Sequence, residues 1–219
     1  MIRAVILDLD GTLLDTAGEI TDAMDRTLDE LGFKRVPARE IRAMIGRGIP
    51  TLVERVIRRT GATGIDPATM IERFEAHYAQ TVGTSAPLFD GVFPGLMRLY
   101  QASIKLAVVT NKPRFFTERL LDRAEVARFF ATVVAGDDGV AKKPAGDMLE
   151  AACRAMGTVP HETLMLGDSG NDVAAARAAG CPVWCVPYGY NEGRGPETLA
   201  CDRIVATVEE AARLVTGAP

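Results

Sequence analysis

Asp8 and Asp10, two carboxylates separated by one residue, follow the short apolar run Ala4-Val-Ile-Leu and precede Gly11-Thr12. If the run is a buried strand, both acids project into one crevice at its end, where their repulsion is costly unless a cation or a proton is shared. The plain alternative is a turn in which Asp10-Gly11 only ends the strand. A second acidic stretch, Gly167-Asp168-Ser169-Gly170-Asn171-Asp172, closes another apolar run far along the chain. Asp168 and Asp172 are four residues apart, which at the start of a helix places them on one face; Asp168 serving only as the helix N-cap is the competing reading. Hard oxygen donors gathered without His or Cys suit Mg²⁺ better than zinc or copper.

Two further segments carry groups suited to an anion. Thr110-Asn111-Lys112 offers a hydroxyl and consecutive backbone N–H groups at a helix start, a combination that holds a phosphate oxygen. Lys142-Lys143-Pro144 supplies cationic points that a loop could aim at the same phosphate, or two solvated lysines.

These groups need a scaffold that brings them together. Apolar runs at 4–7, 106–109, 132–135, 163–166 and 183–186 end in polar residues or glycine and read as strands buried on both faces. Helical stretches at 113–122, 146–156 and 171–179 alternate with them, which predicts an α/β fold with a Rossmann-like parallel sheet between helices. Ligands of such sheets collect at the carboxyl ends of the strands. Asp8, Thr110, Gly136 and Asp168 stand just there. The Gly- and Pro-rich stretch Phe89-Asp90-Gly91 to Phe93-Pro94-Gly95 reads as a loop.

Residues 16–87 break the alternation. Apolar residues recur there at spacings of three and four, as in Leu52, Val53, Val56 and Ile57 or Met70, Ile71, Phe74 and Tyr78, which predicts about four helices. Asp66-Pro67 starts the last one, with Asp66 as N-cap. The expected organisation is a core of residues 1–15 and 88–219 with an all-helical cap of residues 16–87 inserted over the strand ends.

The chain has 219 residues, 47% hydrophobic and 25% charged, and a net charge of −4, which excludes disorder and is the wrong sign for gathering nucleic acid or docking on anionic lipid. Neither nucleic acid nor membrane is expected as a partner. The first apolar run meets Asp8 far short of a membrane span, so a cytoplasmic location is expected. Cys153, Cys181, Cys185 and Cys201 form no C-x-x-C pair and read as buried free thiols.

In order and context, DLDGT at 8–12, the strand-end Thr110, Lys143 before Pro144 and GDSGND at 167–172 resemble the haloacid dehalogenase superfamily over essentially the whole chain. The resemblance implies a Mg²⁺-dependent enzyme in which Asp8 is the nucleophile and Asp10 the acid/base. Asp10 separates it from the dehalogenase branch and argues for phosphoryl transfer. Mg²⁺ would be held by Asp8, the Asp10 carbonyl and Asp168, with Asp172 a direct or water-mediated ligand. Thr110 and Asn111 would bind phosphate oxygens, and Lys143, chosen over Lys142 by the Lys-Pro pattern, would stabilise charge and tether Asp8. DLDGTLLDT, VTNKP and Tyr188-Gly-Tyr-Asn191 look like the bacterial phosphoglycolate phosphatases, which makes 2-phosphoglycolate the expected substrate of a monomer or homodimer. A sugar 6-phosphate, N-acetylmuramic acid 6-phosphate, a nucleotide and pyrophosphate are the alternatives, and a non-catalytic phosphate-binding module is the rival outside enzymes. Arg47, between two glycines of the insert, is the candidate to meet the substrate's carboxylate.

Overall fold

The structure is a computed structural model that describes residues 1–62 and 64–217. Thr63 of the expected cap and the last two residues of the expected core lie outside the described residues. Strands β1 (Ala4–Leu7), β2 (Lys105–Val109), β3 (Thr132–Val134), β4 (Thr163–Gly167), β5 (Val183–Cys185) and β6 (Arg203–Ile204) form one sheet in the order β3-β2-β1-β4-β5-β6, with every neighbouring pair parallel. The strand runs are continuously apolar because alternate residues serve opposite faces: Val5 and Leu7 enter one core, Ala4 and Ile6 the other.

Helices α7 (Asp147–Met156) and α8 (Gly170–Ala179) cover the face of Ala4 and Ile6. The opposite face carries α5 (Val92–Gln101), α6 (Arg114–Arg123) and α9 (Val208–Thr216). Before β2 come α1 (Ala17–Glu30), α2 (Ala38–Arg42), α3 (Ile49–Thr60) and α4 (Pro67–Thr81). Their apolar stripes extend the second core, and Asp66 caps α4 by accepting from the Ala68 N–H at 3.2 Å. The chain leaves and re-enters the sheet domain through a narrow joint, where the Asp15 N–H donates to the Pro87 carbonyl at 2.9 Å and the Phe89 N–H to the Leu13 carbonyl at 3.1 Å.

Two elements differ from expectation. Phe93-Pro94-Gly95 lies inside α5 rather than in a loop. Pro94 sits in the first turn, where an N–H has no intrahelical partner to lose, and a Cβ on Gly95 would stand 2.7 Å from the Val208 carbonyl carbon, so that glycine lets α5 and α9 approach. Strand β6 is a two-residue exposed edge with no apolar run to announce it. Three of the cysteines are buried and free as expected, and Cys201 is half-buried. Among the described residues no helix is long and apolar enough to cross a membrane.

Candidate active site

The carboxyl ends of β1, β2 and β4 bring the acidic and basic motifs together. Lys143 is the pivot. Its Nζ donates to Asp8 Oδ1 at 2.7 Å, to Asp172 Oδ1 at 2.7 Å and to the Val109 carbonyl at 2.9 Å, so its three protons are all engaged. Burial alone would lower this ammonium, but Asp172 and Asp8 outweigh it and hold Lys143 above its ordinary value. Its neighbour Lys142 is exposed.

Asp168 is not the cap of α8; Ser169 is. Asp168 instead looks back across the site. Its Oδ1 accepts from Thr12 Oγ1 at 3.0 Å and its Oδ2 from the Tyr190 N–H at 2.7 Å. A Cβ on Gly189 would lie 2.2 Å from the Asp168 Cβ, so only glycine lets the Tyr188–Asn191 loop come this near. Asp172 closes the capping box: its Oδ2 accepts from Ser169 Oγ at 2.7 Å and from the Ser169 N–H at 3.1 Å. With Oδ1 given to Lys143, both its oxygens are engaged within the protein.

Asp8, Asp168 and Asp172 each offer an oxygen within 4.8 Å of the others, all buried. One ammonium faces these three carboxylates, and the imbalance shows in their acidities. Burial pushes Asp8 well above the usual carboxylate range, with Asp172 and Asp168 adding to it and Lys143 opposing. Burial, then Asp172, pushes Asp168 up to about 7 despite its hydrogen bonds. An all-oxygen, anion-rich cluster of this kind fits a hard dication such as Mg²⁺; of the three acids, Asp8 keeps one oxygen with no hydrogen-bond donor on it among the described residues.

The sign of the linkage makes a prediction. A carboxyl near 7 in the folded state and about 3.9 unfolded contributes stability that is full below about pH 4 and is lost as pH rises through 7. Chelator-treated protein is therefore expected to melt at progressively lower temperature from about pH 5 to pH 8, and saturating Mg²⁺ to raise the melting temperature most at the alkaline end. Melting curves with EDTA and with Mg²⁺ across this range check it; a Mg²⁺ effect independent of pH would contradict the cluster's protonation.

Asp10 turns away from the cluster. Its Oδ1 accepts from Thr16 Oγ1 at 2.7 Å and its Oδ2 pairs with Lys112 Nζ at 3.0 Å. Thr110 is buried and anchored by its N–H to the Val134 carbonyl, while the Asn111 side chain donates to the Gly46 carbonyl at 3.1 Å and the Lys143 carbonyl at 2.9 Å. A small cavity of about 30 Å³ lies over Asp8, Asp10, Thr110, Asn111 and Lys112, and the helical insert walls it with Ile20, Ile45, Ile49, Leu52, Phe74 and Tyr78.

Arg47 does not reach this cavity. Its Nε donates to Glu192 Oε1 at 2.9 Å and its Nη2 to Glu192 Oε2 at 3.2 Å, and Arg55 pairs with the same carboxylate. The glycines on either side of Arg47 line the cavity, but its side chain spans the outer seam between insert and core, where the guanidinium finds a bidentate carboxylate partner. Lys112 and Tyr190 lie in segments singled out by the sequence, but their side chains were given no role of their own. A lysine one residue into the turn after a strand-end Thr is the signal for the first. Tyr190 was visible only as part of a shared pattern, yet its hydroxyl accepts from the Ala17 N–H at 3.0 Å and donates to Asp15 Oδ1 at 2.9 Å, tying the start of α1 to the Asp168 loop.

The haloacid dehalogenase-like hydrolase family model matches residues 5–186. The chain is 43% identical over 219 residues to a phosphoglycolate phosphatase of Nitrosospira multiformis, covering 98% of this chain and 96% of that protein. It is 40% identical over 222 residues to a phosphoglycolate phosphatase of Thiobacillus denitrificans, covering 99% and 97%. The crystal structure of a predicted phosphoglycolate phosphatase from Haemophilus somnus shares the fold with a TM-score of 0.92 at 24% identity, over 97% of each chain. With that family model matched over most of its length and relatives 40–43% identical over nearly all of it, the chain belongs to the haloacid dehalogenase-like hydrolases.

Proposed function

We propose that the protein is a Mg²⁺-dependent phosphomonoester hydrolase acting through an aspartyl-phosphate on Asp8, with 2-phosphoglycolate as substrate. The observation that carries the chemistry is the position of Asp8: buried at the end of β1, 2.7 Å from Lys143, at the floor of a cavity with Asp10 and Thr110. The substrate rests on relatives bearing that activity in their names at 40–43% identity over nearly the full chain.

In this reading Asp8 attacks phosphorus, and hydrolysis is split into two easier displacements. Asp10, held by Thr16 and Lys112, protonates the leaving oxygen and then takes a proton from the attacking water. Thr110 and the Asn111 backbone N–H receive phosphoryl oxygens, and Lys143 offsets their charge while keeping Asp8 in place. Asp8, the Asp10 carbonyl and Asp168 would hold Mg²⁺, which when bound supplies positive charge against the meeting of two anions. Asp172, bonded to Ser169 and Lys143, orients Lys143 and would serve the ion directly or through water.

Residues 16–87 act as the cap and residues 1–15 with 88–219 as the core. The apolar wall of the insert excludes water, and the joint at Asp15 and Pro87 is where it would swing. The cytoplasm is the proposed location.

A Mg²⁺-dependent phosphate-release screen tests the reading. 2-Phosphoglycolate is expected to lead sugar 6-phosphates, N-acetylmuramic acid 6-phosphate, nucleotides and pyrophosphate by at least about tenfold in kcat/KM, or about 1.4 kcal/mol of transition-state discrimination. Another leader would keep the chemistry and replace the substrate; no hydrolysis of any phosphate ester would overturn the enzyme.

A further inference from the structure

Two polar groups in the cavity make no contact with the phosphoryl group in this reading, although one of them, Lys112, also holds Asp10. Tyr78, on α4, is fully buried, and its hydroxyl makes no hydrogen bond within 3.5 Å among the described residues; the polar group nearest to answering it is the Lys112 ammonium. Lys112, just after β2, is buried too; its Nζ lies 3.0 Å from Asp10 Oδ2 and 4.9 Å from the centre of the Tyr78 ring. Both line the same space as Asp8. An ammonium has three protons to place, and one carboxylate oxygen with the ring and hydroxyl of a single tyrosine beside it leave a proton over. The other side chains that the insert turns toward the cavity, such as Ile20, Leu52 and Phe74, are apolar.

We infer that Lys112 and Tyr78 together form the receptor for the substrate's acid group, a carboxylate one carbon from the phosphate ester. The inference rests on the phosphatase reading of the site and deepens it. A carboxylate has several lone pairs, enough to take a proton from the ammonium and another from the phenol. A neutral tail would leave a buried hydroxyl and part of a buried cation unmatched, which selects against it. A sugar would bring several hydroxyls to a wall of isoleucine, leucine and phenylalanine that cannot answer them. Because Lys112 belongs to the core and Tyr78 to the insert, a carboxylate between them would also bridge the two. This places at Lys112 the cationic contact that Arg47, engaged with Glu192, does not make.

The test compares kcat/KM for 2-phosphoglycolate with that for 2-hydroxyethyl phosphate, of similar length but with a neutral end, in the full chain with Mg²⁺. Wild type is expected to favour the acid ester by at least about 100-fold. Tyr78→Phe removes only the unpartnered hydroxyl, so it keeps the packing, and the preference is expected to fall about tenfold, carried by KM for the acid ester. Lys112→Met is expected to reduce the preference to near unity, whatever its absolute rates, and Lys112→Arg to restore part of it. If both substrates slow in proportion and the preference survives in both variants, Lys112 serves only to hold Asp10 and the receptor is overturned. If wild type hydrolyses both esters with no preference, the acid substrate and its receptor fall while the phosphatase stands. If wild type hydrolyses neither, the phosphatase reading falls with the receptor built on it.

Discussion

Asp8→Asn is expected to lower kcat by at least about 10⁴-fold while the protein folds as well as, or better than, wild type. The loss of rate follows from chemistry: an amide is no nucleophile toward phosphorus, and removing a covalent route costs four or more decades, about 5.4 kcal/mol or more in the barrier. The gain in stability follows from the cluster. Asp8 is a buried carboxylate whose charge is opposed first by desolvation and then by Asp172 and Asp168, with Lys143 alone in its favour. An isosteric neutral group relieves that repulsion and leaves Lys143 paired with Asp172 at 2.7 Å. Chelated variant at pH 8 should therefore melt no lower than chelated wild type. A rate within a few per cent of wild type would remove Asp8 from the nucleophile's role, and a large fall in melting temperature would mean its carboxylate is chiefly structural.

Lys143→Met should have the opposite profile, with both stability and turnover lost. The substitution takes the one ammonium from among three buried carboxylates, and breaking a buried pair by removing one partner costs about 3–5 kcal/mol. For a chain of this length that amounts to roughly 6–20 °C in melting temperature. The penalty should be largest at pH 8 without metal and shrink toward pH 5, where protons replace the missing charge on Asp8 and Asp168, both of which titrate above their ordinary range. Turnover should fall about 10²–10³-fold through loss of charge stabilisation at the phosphoryl oxygens. Lys143→Arg should restore little, because the two carboxylates and the Val109 carbonyl converge on a single point that a planar fork cannot occupy. Full stability at pH 8 in Lys143→Met would show that the carboxylates do not depend on this ammonium.

Much of this molecule is written along the chain. Five of the six strands among the described residues were legible because a strand buried on both faces is apolar along its length, and Asp8 and Asp168 directly follow two of them, with Asp10 two residues beyond Asp8. The four helices of the insert were legible from spacings of three and four, and Asp66 from capping chemistry alone. Pattern, sign and residue type within one element are local properties. They determined the parallel sheet, the placement of paired carboxylates at its carboxyl edge and the all-oxygen character of the cluster.

Direction across elements is not local, and tertiary packing decided it. Lys143 and Asp8 are separated by 135 positions and meet because the loop after β3 turns back over the ends of β2 and β1; residue type alone does not separate Lys142 from Lys143, and only the following proline pointed to the second. Asp168 and Asp172 are four residues apart, the spacing of one helix face, yet Asp168 stands before the N-cap of α8 and Ser169 and Lys143 claim the Asp172 oxygens. Arg47 stands between two cavity-lining glycines and still points to Glu192, because a carboxylate 145 positions away offers it a bidentate partner in water's reach. Lys112 and Tyr78 come from core and insert, and their meeting over one cavity depends on how two bodies of helix and sheet close on each other. The sequence by itself determined which chemistry is present; only the closing of the insert on the sheet decided which side chains share it, since hydrophobic burial sets how the elements stack and electrostatics then sorts the few polar groups left inside.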